Sequence, residues 1–87
     1  MTEFDKVQQE IDDKALHDRL EAARACGVEV IQFFAFAHLP DRLKAQSRPF
    51  AKLACQALYS GESEERTMFL RKLLEAKDCF VRIAVAR

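Results

Sequence analysis

Apolar side chains recur every three or four residues along the first part of the chain, which is the spacing of an amphipathic helix. The positions that share this side are Phe4, Val7, Ile11, Ala15, Leu20 and Ala23. Thr2 precedes them and Asp5 follows it by three residues, a pair typical of a helix N-terminus closed by a capping box. The pattern predicts a first helix from about residue 3 to the mid-20s.

The next segment contains Gly27 and a strongly apolar run, VEVIQFFAFA, at residues 28–37. Gly27 either ends the first helix or lies within a longer helix where another backbone approaches closely, and the sequence leaves both options open. The apolar run would suit a buried strand, but no other segment has a strand pattern with which it could pair. We therefore expect residues 28–37 to be helical.

A second helix is predicted to begin near Pro40, because proline suits a first helical turn and Asp41 follows it at the positive end of the helix. The residues that then recur at helical spacing are Leu43, Ser47, Phe50, Ala54 and Ala57. This helix should run to about Tyr59. Pro49 lies inside the pattern and predicts a kink near residues 45–49, since it removes a backbone hydrogen bond at a cost of about 3 kcal/mol.

The sequence YSGES at residues 59–63 predicts a turn, with Gly61 in the left-handed conformation and Ser63 capping a third helix from Glu64 to about Ala86. One apolar stripe of this helix consists of Phe69, Leu73, Ala76, Phe80 and Ile83, and an adjoining one of Leu70, Leu74, Val81 and Val85. One stripe can pack against the second helix. The other needs cover from the first helix or from a neighbouring subunit. Two predicted i,i+4 ion pairs, Arg71 with Glu75 and Asp78 with Arg82, mark the solvent side.

These elements predict an all-α fold: an antiparallel helical hairpin of about residues 41–59 and 64–86, preceded by one or more N-terminal helices. Hydrophobic residues are 49% of the 87 residues and glycine and proline number two each, so neither disorder nor a β-sandwich is favoured. We expect one domain, 1–87, with an N-terminal extension, 1–32, and a hairpin domain, 33–87. A core this small favours self-association.

Charge divides the chain into two unlike halves, although its net charge is zero. Residues 1–40 hold eight acidic and four basic side chains, and residues 41–87 hold six acidic and ten basic ones. The balance argues against non-specific binding to duplex nucleic acid, while the basic half leaves room for a small anionic ligand. No apolar run is long enough to span a bilayer and no export leader is evident, so we expect a cytoplasmic protein and no membrane partner.

The residues that carry chemistry are sparse. Cys26, Cys55 and Cys79 are widely spaced within helical patterns, which favours reduced thiols over a disulfide or a zinc site. His17 and His38 lack a neighbouring ligand, and no catalytic or phosphate-loop motif is present. We therefore expect no enzymatic activity, no metal and no cofactor.

One stretch, FFAFAHLPDRLKAQSRPF at residues 33–50, combines four phenylalanines with a histidine and three Arg or Lys side chains. Two interpretations remain open. The rings are core and the cations are solvated, or rings and cations together form a nucleotide site, because aromatic faces stack on bases and Arg or Lys pairs with phosphate. The chemistry-bearing residues around this stretch are Phe36, His38, Arg42, Lys44, Arg48 and Lys52.

Two blocks of sequence, FAFAHLP at residues 34–40 and ERTMFLRKLLEAKDCFVRIAVAR at residues 65–87, resemble the hairpin domain of phage sponge proteins. These proteins sequester cyclic nucleotide signals of the CBASS and Thoeris antiviral systems. The resemblance covers about residues 33–87 and implies a hexamer that holds cyclic dinucleotides, or in some members trinucleotides, between subunits in the infected bacterial cell. It implies base stacking by Phe36, and ligand-binding roles for His38, for Arg48, or Lys52 if the register slips, and for the closing Arg87.

The resemblance thus predicts a sponge that blocks CBASS-like signalling by binding a cyclic oligonucleotide without hydrolysing it. The alternative is a small helical adaptor whose third helix docks another protein and which has no nucleotide ligand. A nucleic-acid-binding protein that uses its second helix is a third option, against which the acidic N-terminal half counts.

Overall fold

The computed structural model describes residues 2–86, apart from the side chain of Glu29, and the described residues form helices and loops without a strand. The elements in chain order are α1 (Glu3–Ala25), a 3₁₀ helix (Glu29–Phe34), α2 (Asp41–Leu58) and α3 (Glu64–Ala86). The all-α prediction is confirmed. No described helix has a stretch both long and apolar enough to cross a membrane.

The helix boundaries follow local capping signals. The Thr2 hydroxyl accepts a hydrogen bond from the Asp5 backbone N–H at 3.2 Å, and the Asp5 carboxylate accepts one from the Thr2 N–H at 3.3 Å. Ser63 caps α3 by accepting from the Arg66 N–H at 3.0 Å. Gly61 has φ +80°, the left-handed conformation that the turn requires. The predicted ends of the first and third helices are therefore confirmed.

Gly27 ends α1, which decides between the two options that the sequence left open. Its φ is +100°, its N–H bonds to the Arg24 carbonyl, and the Val28 N–H bonds to the Ala23 carbonyl, each at 3.1 Å. This pair of bonds is the Schellman arrangement that satisfies the last carbonyls of a helix. Residues 28–37 differ from the prediction: six residues form the tighter 3₁₀ helix, and the chain is extended at Ala35.

The second helix begins at Asp41, as predicted, with Pro40 as the N-cap at φ −57° and ψ 153°. It continues through Pro49, which lies inside the helix, and ends at Leu58. The kink predicted at Pro49 stays a prediction.

The core joins all four helical elements, but α1 contributes little to it. Only Leu16 and Leu20 of α1 are buried, and the fully buried large side chains are Ile31, Phe34, Phe36 and Leu70. The principal dimensions are 41 × 30 × 17 Å, and the smallest leaves room for about two layers of helices spaced 8–10 Å apart. Much apolar surface consequently stays uncovered.

The two apolar stripes of α3 have different surroundings. Leu70 is buried and Leu74 and Val81 are partly buried, whereas Phe69, Phe80 and Ile83 of the other stripe are exposed. The Phe80 ring contacts Phe50 of α2, with ring centroids 5.6 Å apart and ring planes tilted by 49°. The stripe that needs cover therefore contains Phe69, Phe80 and Ile83.

The predicted ion pairs on the outer side of α3 are wrong. Asp78 lies 3.8 Å from Lys77 rather than pairing with Arg82, and Arg82 donates to the Cys79 Sγ at 3.1 Å. Arg71 and Glu75 do not pair with each other in the part of the chain that the structure describes. Correct spacing on a helix makes such pairs available, but solvated side chains gain little from forming them.

Candidate anion-binding cleft

Phe36, the ring to which the resemblance assigns base stacking, lies in the core. Its side chain is 1% exposed. Because stacking on a base requires an open ring face, the predicted role of Phe36 is not available in this conformation of the chain. What the ring does instead is support Arg48, whose guanidinium carbon lies 5.9 Å from its centroid.

Arg48 is also engaged within the chain. Its Nε donates to Oδ1 of Asp13 at 2.8 Å and its second guanidinium nitrogen donates to Oδ2 at 3.0 Å. This is the bidentate geometry that makes an Arg–carboxylate pair strong, and both side chains are about four-fifths buried. The pair ties α1 to α2. A phosphate would have to displace Asp13 to reach Arg48.

The other three predicted ligand residues are scattered. Lys52 is exposed on α2, and Arg87 lies outside the described residues. His38 is exposed in the loop before α2, and it is the one member of the predicted set that lines the cleft described next. Of the four predicted residues that the structure describes, Phe36 and Arg48 lie together, and His38 and Lys52 do not join them in one site.

A cleft of about 430 Å³ opens between the loop after the 3₁₀ helix, the middle of α2 and the C-terminal half of α3. Its volume falls within the range of small-molecule sites, about 300–1,000 Å³. The apolar residues that line it include Phe33, Leu39 and Val81, and the polar ones are Gln32, His38, Ser47, Lys77, Asp78 and Arg82. Two of these polar side chains are permanent cations and one is an anion.

Lys77 supplies a poorly neutralised charge to this cleft. Its side chain is only 13% exposed, and its ammonium group donates to the Phe33 carbonyl and lies 5.9 Å from the centroid of the Phe34 ring. The nearest carboxylate, that of Asp78, is 3.8 Å away and half exposed. A partly buried ammonium with so loose a counter-ion is favourable for binding an anion.

Ser47 adds a buried hydroxyl that lacks a partner. The residue is 1% exposed, and its Oγ makes no hydrogen bond with any residue that the structure describes. An unsatisfied buried polar group costs about 1–3 kcal/mol. A ligand oxygen in the cleft would relieve this cost, because a hydroxyl can both donate and accept.

Phe33 is the open aromatic ring of the site. The four phenylalanines of residues 33–50 separate into Phe34 and Phe36 in the core, Phe50 partly buried against Phe80, and Phe33, which is 54% exposed at the cleft. The Phe33 backbone carbonyl accepts a hydrogen bond from the Lys77 ammonium, and both residues line the cleft. The sequence predicted the combination of an aromatic face and a cation for Phe36 and Arg48. At the cleft, Phe33 and Lys77 provide this combination instead.

The contacts present in the cleft are suited to holding a ligand. Ser47, His38 and Asp78 all line it, and no hydrogen bond joins any two of them in this structure. In residues 2–86 there is also no group of three His, Cys, Asp or Glu side chains placed to hold a metal ion.

Sequence reasoning missed Ser47, Lys77 and Arg82, although the first two carried a signal. Lys77 continues the buried stripe of α3 at spacings of three and four residues from Leu74 and Val81. Ser47 likewise interrupts the apolar pattern of α2. A polar residue inside a core-facing stripe needs a partner, and both residues meet at the same cleft.

Comparison with protein-family models, with curated proteins and with solved structures yields no match to this chain. The likeness to the phage sponge family therefore rests on the two sequence blocks alone.

Proposed function

We propose that the protein binds a cyclic oligonucleotide signal in this cleft and holds it without hydrolysis, as a phage-type sponge does. The observation that carries the proposal is the juxtaposition of an open ring, Phe33, with the cations Lys77 and Arg82. A stacked base contributes about 1–3 kcal/mol, and a phosphate gains charge-assisted hydrogen bonds from Lys and Arg. Every nucleotide contains both a base and a phosphate.

The proposed pose follows from the surroundings of each group. The base lies against Phe33, its phosphate lies between Lys77 and Arg82, and the Ser47 hydroxyl hydrogen-bonds to a ligand oxygen at the floor of the cleft. His38 at the rim adds a ring N–H donor. In this proposal Phe36 and Arg48 do not touch the ligand. They support the site indirectly, because they hold the loop and α1 against α2.

A cyclic dinucleotide has two bases and two phosphates, whereas one cleft provides one open ring. We therefore propose that two copies of the chain hold one ligand, each through its own cleft, within a symmetric assembly. The resemblance implies that this assembly is a hexamer of helical hairpins formed by α2 and α3. Sequestration of the signal in the infected host cytoplasm would block CBASS-like signalling.

Calorimetric titration tests the proposal with a panel of cyclic dinucleotides, cyclic trinucleotides and cyclic ADP-ribose isomers. We expect at least one to bind and to be recovered chemically intact. Phe33→Ala should weaken its binding by about 1–3 kcal/mol, or roughly 5- to 150-fold. Lys77→Gln should weaken it as well, because the phosphate loses its partly buried cation.

Two variants serve as matched controls. Tyr59→Ala removes an exposed ring far along the chain from the cleft, and Lys6→Gln removes an exposed lysine of α1. Both should bind as the wild type does. No heat with any member of the panel, or equal losses for the cleft variants and their controls, would refute the cleft as a nucleotide site.

A second candidate, the helical adaptor, is favoured by the exposed apolar side chains of α1 and α3. Phe4, Ile11 and Ile83 are each more than half exposed. The adaptor hypothesis predicts recovery of one protein partner at fixed stoichiometry, without any effect of added nucleotide. Recovery of a bound nucleotide with no partner protein would instead support the sponge.

A further inference from the structure

Helix α1 has an apolar stripe that faces away from the protein. Phe4, Val7 and Ile11 follow one another at helical spacing, and each is at least half exposed. The buried Leu16 comes five residues after Ile11, which places it about 140° further around the helix. The outward stripe of α1, defined as Phe4, Val7 and Ile11, is therefore not part of the core-facing side.

Acidic side chains border this outward stripe on both sides. Lys14, which pairs with Asp18, lies on one edge. Helical spacing also places Glu3 and Glu10 along that edge, and Asp5 and Asp12 along the other. All four are exposed. If two α1 helices paired through their outward stripes, these carboxylates would be brought together, so self-pairing of α1 is unfavourable.

A second uncovered apolar surface has the opposite charge at its edges. The α2–α3 outer face, defined as Leu53, Phe69, Phe80 and Ile83, is exposed along its whole length. Helical spacing places Arg42 on the same side of α2 as Leu53, and Lys72 on the same side of α3 as Phe69; one acidic side chain, Glu65, also lies beside Leu53 and Phe69 at the start of α3. Both cations are exposed and form no ion pair with the residues that the structure describes.

The area available agrees with an interface of ordinary size. The chain exposes 6260 Å². A compact monomer of this size exposes about 5,200 Å², so the excess is about 1,000 Å². A stable protein interface buries about 800 Å² of each partner. The excess corresponds to about one such contact, whereas each chain of a closed head-to-tail assembly takes part in two, one through each of its unlike surfaces.

We propose that the outward stripe of α1 docks on the α2–α3 outer face of a second copy of this chain. Apolar side chains meet at the centre, and the acidic edges of α1 lie beside Arg42 and Lys72. Because the two surfaces differ, the contact is heterologous, and a closed assembly forms when the rotation between copies returns to the start. This contact deepens the oligomeric part of the proposed function but requires no ligand.

Mass measurement of the full chain in solution, without nucleotide, tests the contact. The wild type should have at least twice the mass of one chain. Val7→Asp and Ile83→Asp should each yield monomers with unchanged helical content, since both positions are exposed in the single chain. Val85→Asp is the matched control, because it makes the same change as Val7→Asp at an exposed valine. Val85 lies on the side of α3 opposite Ala76, which shares the stripe of Phe69 and Ile83, so this variant should keep the assembly.

Mixing the two monomeric variants identifies the partner surface. Val7→Asp keeps an intact α2–α3 outer face and Ile83→Asp keeps an intact outward stripe, so a one-to-one mixture should form a heterodimer through the one good contact. A monomeric wild type would overturn the proposal. So would a mixture that stays monomeric, because pairing of like surfaces cannot be restored in this way. Neither result depends on whether a nucleotide binds.

Discussion

The two sides of α2 have similar residues, a phenylalanine and a cation, but these residues are buried and paired on one side and more open on the other. On the side of α1, the Phe36 ring is buried beneath Arg48, and Asp13 neutralises that cation at 2.8 Å. On the side of α3, Phe33 is open, and the Lys77 ammonium lies 3.8 Å from its nearest carboxylate. A ring and a cation therefore form a structural link where a carboxylate pairs closely with the cation, and a candidate binding site where the nearest carboxylate lies farther away and is half exposed.

The first test of this contrast compares two phenylalanines three residues apart. Phe36→Ala should lower the free energy of unfolding by about 3–5 kcal/mol, because it opens a cavity in the core. Phe33→Ala should lower it by less than about 1 kcal/mol, since the ring is mostly in solvent. Urea unfolding followed by circular dichroism measures both. Equal losses would mean that Phe33 is a core residue.

The second test removes the carboxylate from the closed side. Asp13→Ala should destabilise the protein by about 1–3 kcal/mol, because Arg48 keeps its partly buried charge and loses two charge-assisted hydrogen bonds. Asp18→Ala is the matched control: it breaks the exposed pair with Lys14 and should cost about 0.5 kcal/mol or less. A difference too small to resolve between the variants would contradict a stabilising role for the Asp13–Arg48 pair.

The third test predicts that a substitution raises the free energy of unfolding. Ser47→Ala should stabilise the ligand-free protein by about 1 kcal/mol, since it removes an unsatisfied buried hydroxyl and alanine favours helix. Ser63→Ala, the same change at a serine that caps α3, should destabilise by about 1 kcal/mol. Thermal unfolding distinguishes the two. If Ser47→Ala destabilises the protein, the hydroxyl already has a hydrogen-bond partner, and it no longer supports ligand binding in the cleft.

The smallest effect concerns thiol reactivity. Burial raises the pKa of the Cys55 thiol, and the positive charge of Arg19 offsets this in part. A raised pKa leaves less thiolate at neutral pH, so Cys55 should react with a thiol reagent only as the protein unfolds. Cys26 and Cys79 are exposed and should react in the native state. Three rapidly reacting thiols would show that the packing between α1 and α2 is looser than described.

The sequence predicted the helices well because their ends depend on local signals. Thr2 with Asp5, Gly61 and Ser63 each act on neighbouring backbone groups, and all three have the predicted roles. Gly27 was ambiguous because a left-handed cap and a close packing position favour the same residue. Residues 28–37 were misjudged because apolar character alone does not distinguish an α-helix from a short 3₁₀ helix.

The candidate site was much less predictable. Of the proposed ligand residues, His38 alone lines the cleft among those that the structure describes. Nothing local distinguishes Phe33 from Phe36, because which ring is covered depends on α1 and α3, distant in sequence. Arg48 gave no sign that Asp13, 35 residues earlier, would neutralise it. A free cation can be recognised only when all its neighbours in space are known.

The most direct test of the central claim is an amide correlation spectrum of the labelled protein, recorded during titration with the cyclic nucleotide that binds most tightly in calorimetry. The account predicts that the largest shifts fall in residues 32–39 and 77–82, around Phe33 and Lys77. It also predicts little change at Asp13 and Arg48. Shifts centred on Asp13 and Arg48, or a spectrum that no member of the nucleotide panel alters, would contradict it.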